Sequence, residues 1–142
     1  MKLFLPVALL MLAAPTAALA DDLVIQLDGL RNAKGNVVIC VWNNGKAFPD
    51  CDAGRPIARQ SLDAATAART PITFKNIAPG TIAVSVFHDE NANGKFDTNF
   101  VRMPLEGVGL SNNPKMFGPP KYKASTFTPK PGVTVRIKMS YL

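Results

Sequence analysis

Hydrophobic residues recur at every second position through several stretches of this chain, the period of strands that bury one face. Leu23, Ile25 and Leu27 alternate with Val24, Gln26 and Asp28, and Asp28-Gly29 closes that first strand. Residues 32–35 predict a turn. From Asn36 to Trp42 both faces are apolar: Val37, Ile39 and Val41 fall on one, Val38, Cys40 and Trp42 on the other. That is the pattern of a central strand covered on both sides. The Pro, Gly and Asp residues of 48–56 predict a surface excursion. Residues 57–62 predict a short strand, and the alanine-rich 63–69 a turn of helix.

Residues 71–75 predict a strand with Ile72 and Phe74 on one face, and 76–80 a turn in which Pro79 presets the backbone and Gly80 supplies a left-handed position. In 81–88, Ile82, Val84 and Val86 share one face with His88, opposite Ala83, Ser85 and Phe87. Residues 100–122 show little periodicity and much Gly, Pro and Asn, so a long irregular loop is expected, of the kind that carries function. Residues 123–127 predict a short strand and 129–132 a turn. The cleanest alternation comes last: Val133, Val135, Ile137, Met139 and Tyr141 face in, while Thr134, Arg136, Lys138 and Ser140 face water. About seven short strands joined by Gly/Pro turns, with no long helix, predict an all-β antiparallel sandwich. Neither a repeat nor a linker divides residues 21–142, which are expected to form a single domain.

The first twenty residues do not belong to that pattern. Lys2 supplies a positive start, residues 3–14 are an apolar run, and Ala18-Leu19-Ala20 is a small-x-small cleavage site. This is the signature of a secretory signal peptide cut after Ala20, too short to span a membrane, and it implies a periplasmic or secreted protein. The formal net charge is +6, and the lysines and arginines are scattered rather than blocked, with Lys115, Lys121, Lys123, Lys130, Arg136 and Lys138 near the end, so a solvated basic face is expected, with at most weak attraction to an anionic envelope surface. An exported chain without a basic run interleaved with aromatics excludes nucleic acid as the expected partner. The two cysteines, Cys40 and Cys51, flank a turn-rich loop in a compartment where disulfides persist, which predicts a structural bridge worth about 3 kcal/mol.

The chemistry concentrates in Asp89-Glu90-Asn91-Ala92-Asn93-Gly94-Lys95-Phe96-Asp97. Oxygen-bearing side chains fall at 89, 91, 93 and 97, Gly94 permits a sharp turn, and Lys95 can offer its carbonyl. This is the spacing with which a loop wraps a hard cation, calcium by preference. The twelfth loop position, where an EF-hand has its bidentate glutamate, is Phe100, so the shell would be completed by Asp97, water or Glu106. The same residues also suit a metal-free turn, since Asn-Gly and Asx residues bond nearby backbone. His88 is the only histidine, no nucleophile elbow is present, and an Asn-rich oxygen site does not suit catalytic zinc. The residues therefore favour a non-catalytic module binding a ligand or envelope component over the alternative, a metal-dependent hydrolase.

Two segments carry resemblances. The stretch from Phe74 to Gly80 resembles the turn and strand start of transthyretin-like and collagen-adhesin B-type modules, which implies an immunoglobulin-like sandwich. The stretch from His88 to Asn99, followed by Met103-Pro-Leu-Glu-Gly-Val-Gly-Leu-Ser-Asn-Asn113, resembles the exported bacterial family catalogued as domain of unknown function 2141. Its members share a signal peptide, a strand ending in D-x-N-x-N-G-x-x-D, and a P-x-E-x-x-G-x-S-N-N segment. The resemblance implies that Asp89, Asn91, Asn93, Asp97 and Glu106 cluster, with Ser111, Asn112 and Asn113 either as outer hydrogen-bond partners or as a capped turn. Arg102-Met103-Pro104 stands where the family often has Gly-Ile-Pro. No activity is implied by the family.

Overall fold

The computed structural model describes residues 20–142, together with Ala14. The expected signal peptide therefore lies almost wholly outside the described residues. Among the described residues there are seven strands: β1 (Asp21–Asp28), β2 (Asn36–Trp42), β3 (Ala58–Asp63), β4 (Ile72–Ile77), β5 (Ala83–Asp89), β6 (Gly107–Leu110) and β7 (Thr134–Ser140). Two short helices accompany them, α1 (Ala64–Arg69) and α2 (Tyr122–Ser125).

The strands form one sheet in the order β3-β2-β5-β6-β7-β1-β4. All neighbours run antiparallel except β1 and β7, which are parallel. Two separate sandwich layers were expected, and β7 is the reason they do not separate. Its residues 134–138 pair with β1, while Met139 and Ser140 pair with β6, so the two halves are continuous. The outermost strands, β3 and β4, meet through the Gln60 side-chain amide, which donates to the Thr73 carbonyl at 2.8 Å. The result is a nearly closed, barrel-like sheet.

The period-two faces fall as the alternation requires, except that Val133, expected to face in, precedes β7 and is exposed. Leu23, Ile25 and Leu27 of β1 enter the barrel core with Val37, Ile39 and Val41 of β2, Val84 and Val86 of β5, and Ile137 and Met139 of β7. Helix α1 adds Ala64 and Ala67 to that core. Asp63 caps the helix, its carboxylate accepting from the Thr66 N–H at 2.9 Å and the Thr66 hydroxyl at 2.7 Å.

Strands β2 and β5 are buried on their second face too. There Val38, Cys40, Trp42 and Phe87 pack with Cys51, Phe48, Phe96 and Tyr122 outside the barrel. The expected Cys40–Cys51 disulfide is present and pins the 43–57 excursion over this face. The Trp42 indole donates to the Ser85 hydroxyl at 2.8 Å, and that hydroxyl donates to the Pro49 carbonyl at 3.1 Å. Edge-on aromatic contacts run from Trp42 to Phe48 and on to Tyr122, and from Phe87 to Phe96.

Two expectations need correcting. Residues 100–122 are not structureless, because they contain β6, the strand that joins β5 to β7. Residues 123–127 are not a strand. Tyr122–Ser125 is a helical turn, and Phe127 alone makes a β-bridge, to Ile82.

Candidate metal centre

Strand β5 leads straight into the loop: Asp89 is its last residue and is only 1% exposed. The Asp89 carboxylate accepts from the Asn93 N–H at 3.1 Å and the Gly94 N–H at 2.8 Å, folding the loop back over it. Ala92 and Gly94 both take left-handed backbone conformations there, with φ of 54° and 76°. Asn93 Oδ1 accepts from the Lys95 N–H at 2.9 Å. The side-chain amides of Asn93 and Asn91 donate to Asp97 Oδ2, at 2.8 and 3.3 Å. The polar side chains of the loop thus turn toward one another and are held by hydrogen bonds within it.

Glu106 reaches the same place through strand register. Strand β6 pairs antiparallel with β5, and His88 faces Gly107, so the residue before Gly107 falls beside Asp89. Glu106 is 8% exposed, and its Oε2 is buried with no hydrogen-bond partner. Burial pushes its carboxyl pKa up, and the Asp97 and Asp89 charges push it further. Backbone N–H groups of Asn91 and Glu90 act in the opposite direction. No three histidine, cysteine or acidic side chains stand at metal-ligand spacing among the described residues, so amide and backbone oxygens would supply part of any coordination shell. That donor chemistry is the kind calcium takes.

A polar clamp steadies the loop from the β1–β2 side. The Glu90 carboxylate accepts from the Asn32 amide at 2.9 Å and pairs with Arg31 at 2.6 Å, which together hold its pKa below the usual range. Gly35, at φ 64°, lies against the backbone of Asp89 and Glu90, where a Cβ would collide. His88 is fully buried and both ring nitrogens are engaged, Nε2 with the Lys34 carbonyl at 2.7 Å and Nδ1 with the Tyr141 hydroxyl at 2.8 Å. The carbonyl can only accept, so Nε2 carries a proton, and in the neutral ring Nδ1 accepts from the tyrosine hydroxyl. Sequence reasoning missed this pair because Tyr141 reads as one more inward residue of an alternating strand.

Ser111, Asn112 and Asn113 are not brought to the loop. Ser111 lies at the far end of β6, its hydroxyl accepting from the Val84 N–H at 2.8 Å. Val84 is five positions before Asp89, about 16 Å along a strand. Asn112 donates to the Thr126 carbonyl at 2.6 Å, while Asn113 donates to the Arg136 carbonyl and accepts from the Lys138 N–H. These three residues tie β6 to β7 and to the chain around α2.

A family model described as an uncharacterized protein conserved in bacteria, DUF2141, matches residues 25–136, and the chain belongs to that family. No curated protein and no solved structure shows significant similarity to it.

Proposed function

We propose that the chain is an exported, non-catalytic β-barrel module whose Asp89 loop binds calcium. The ligands in this reading are Asp89, Asn91, Asn93, the Lys95 carbonyl, Asp97 and Glu106. A bound ion would fix the connection between β5 and β6 and the surface it presents to a partner. One observation carries the reading. An Asx-rich turn accounts for the side-chain hydrogen bonds of Asp89, Asn91, Asn93 and Asp97, but not for a buried glutamate oxygen without a partner beside two further carboxylates. Such a group is costly unless a cation or a proton neutralises it.

Export is supported by the cleavage motif ending at Ala20 and by the disulfide. The periplasm or the exterior suits both. His88 supports a non-catalytic role, since both its nitrogens are committed to the fold.

Isothermal titration of the purified chain tests the site. Calcium is expected to bind one to one with a dissociation constant on the order of 0.1–1 mM, and magnesium more weakly because it demands tighter octahedral geometry. Glu106→Gln keeps the shape and removes the charge, and is expected to weaken binding by roughly tenfold or more. A chain that binds no calcium would sink the reading.

A further inference from the structure

The charge of this protein is not evenly placed. Residues 20–97 carry nine acidic and eight basic side chains; beyond Asp97 there are seven basic ones and a single acid, the buried Glu106. Of those seven, only Arg136 is ion-paired among the described residues. Among the described residues, the same region holds the two most exposed large apolar side chains, Phe100 at 98% and Phe117 at 86%, with Leu105 and Val101 more than half exposed.

The segment carrying Phe100 is a built turn. Thr98 bridges to Pro104, the Asn99 N–H donates to the Met103 carbonyl at 2.9 Å, and Asn99 Oδ1 accepts from the N–H groups of Val101 and Met103. Arg102, at φ 61°, completes it. Polar groups are thus used to hold an apolar tip out in solvent. The Phe117 loop is its neighbour: Thr98 and Arg102 of the turn line a cleft of about 490 Å³ together with Pro119 and Pro120, which follow Phe117.

We infer that these two apolar tips, with Arg102, Lys115 and Lys121 beside them, dock the protein on an anionic lipid surface. Apolar side chains that enter the interface, ringed by unpaired cations, match the two forces by which peripheral proteins hold such a surface. The aliphatic Val101 and Leu105 beside the phenylalanines distinguish the site from a groove of aromatic platforms for nucleic-acid bases. The docking does not depend on the metal reading, because the turn 98–104 is closed by its own hydrogen bonds.

Co-sedimentation with phosphatidylglycerol-rich vesicles, in calcium-containing buffer and against pure phosphatidylcholine vesicles, tests this. The chain is expected to partition onto the anionic vesicles and to leave them as salt is raised. Phe100→Ser with Phe117→Ser should weaken partitioning roughly tenfold or more, and Lys115→Gln with Lys121→Gln by roughly thirtyfold. Thermal melts would confirm that these exposed positions leave the fold intact. Phe100→Trp adds a direct readout, since native Trp42 is fully buried and contributes a constant background; its emission should shift to the blue on anionic vesicles only. Equal binding to both vesicle types, or none, overturns the inference. So does an unshifted Phe100→Trp, binding to oligonucleotide without binding to vesicles, or self-association that the double serine variant abolishes.

Discussion

Tyr141 does at the residue scale what no alternation of apolar and polar positions can express. Its ring covers Gly107, where a Cβ would collide with it, and receives the Arg31 guanidinium 4.5 Å from its centroid. Its hydroxyl accepts from the Arg31 N–H at 3.2 Å and donates to His88 Nδ1. Tyr141→Phe leaves a buried imidazole nitrogen without a donor, and is expected to cost about 1–3 kcal/mol, read as a lower denaturant midpoint. The same residue sets an alkaline limit. Burial raises the phenol pKa first, and the Glu90 charge adds to it against the opposing Arg31 N–H and guanidinium. The folded state thus holds a proton that the unfolded chain releases near its ordinary value, about pH 10. The stability from this group is full below that pH and is lost as pH rises through the folded value. Melts across the alkaline range should show a decline that Tyr141→Phe flattens; an identical decline in both proteins would place the cause elsewhere.

At the scale of elements, the strands that read clearly are those whose faces both have a use. β2 and β5 are apolar on two faces because one lines the barrel and the other lies under the disulfide-pinned excursion, and their residues say so directly. β6 was illegible for a physical reason. Two of its four residues are glycines, poor strand formers, and they are there because Tyr141 crowds Gly107 while Ile137 and Met139 crowd Gly109. That information lies on β7 and on Tyr141 just beyond it, some thirty residues later. The stretch 123–127 misled in the opposite way, since Ser125, Thr126 and Phe127 suit a strand but the Ser111 and Asn112 side chains bond the carbonyls around the α2 turn instead. The site was legible as far as loop spacing goes, and Glu106 as far as the motif resemblance goes. Ser111 to Asn113 share that motif without sharing its location. For β7, Ile137 is fully buried and Lys138 exposed. Ile137→Asp is expected to prevent folding or cost several kcal/mol, while Lys138→Asp stays within about 0.5 kcal/mol. Comparable losses from the two, measured by urea unfolding, would reverse the assigned faces.

At the scale of the whole molecule, the barrel core and the Asp89 loop are separable. None of the apolar residues that fill the barrel lies between 87 and 107, so the fold does not need the loop to be ordered. Calcium bound to the folded chain alone adds RT ln(1 + [L]/Kd), about 2.7 kcal/mol at a hundredfold excess over Kd. The melting temperature should therefore climb with calcium, while the chelated protein still melts cooperatively from a folded state. Asp89→Asn keeps the size of the side chain and one carbonyl-type acceptor for the Asn93 and Gly94 N–H groups, so it should remove the calcium response with less damage than Asp89→Ala, which strips both acceptors from a buried position. Hydrogen exchange locates the effect. The N–H groups of Asn93, Gly94 and Leu105, which donate to Asp89 and to the Asp97 carbonyl, should exchange at least roughly tenfold more slowly with calcium. The paired amides of β2 and β5, protected by the barrel itself, should slow only by the global increment. Uniform slowing across the chain would mean that the ion stabilises the barrel rather than the loop. No slowing and no rise in melting temperature would leave Glu106 neutralised by a proton, and the loop an Asx turn that closes without a metal.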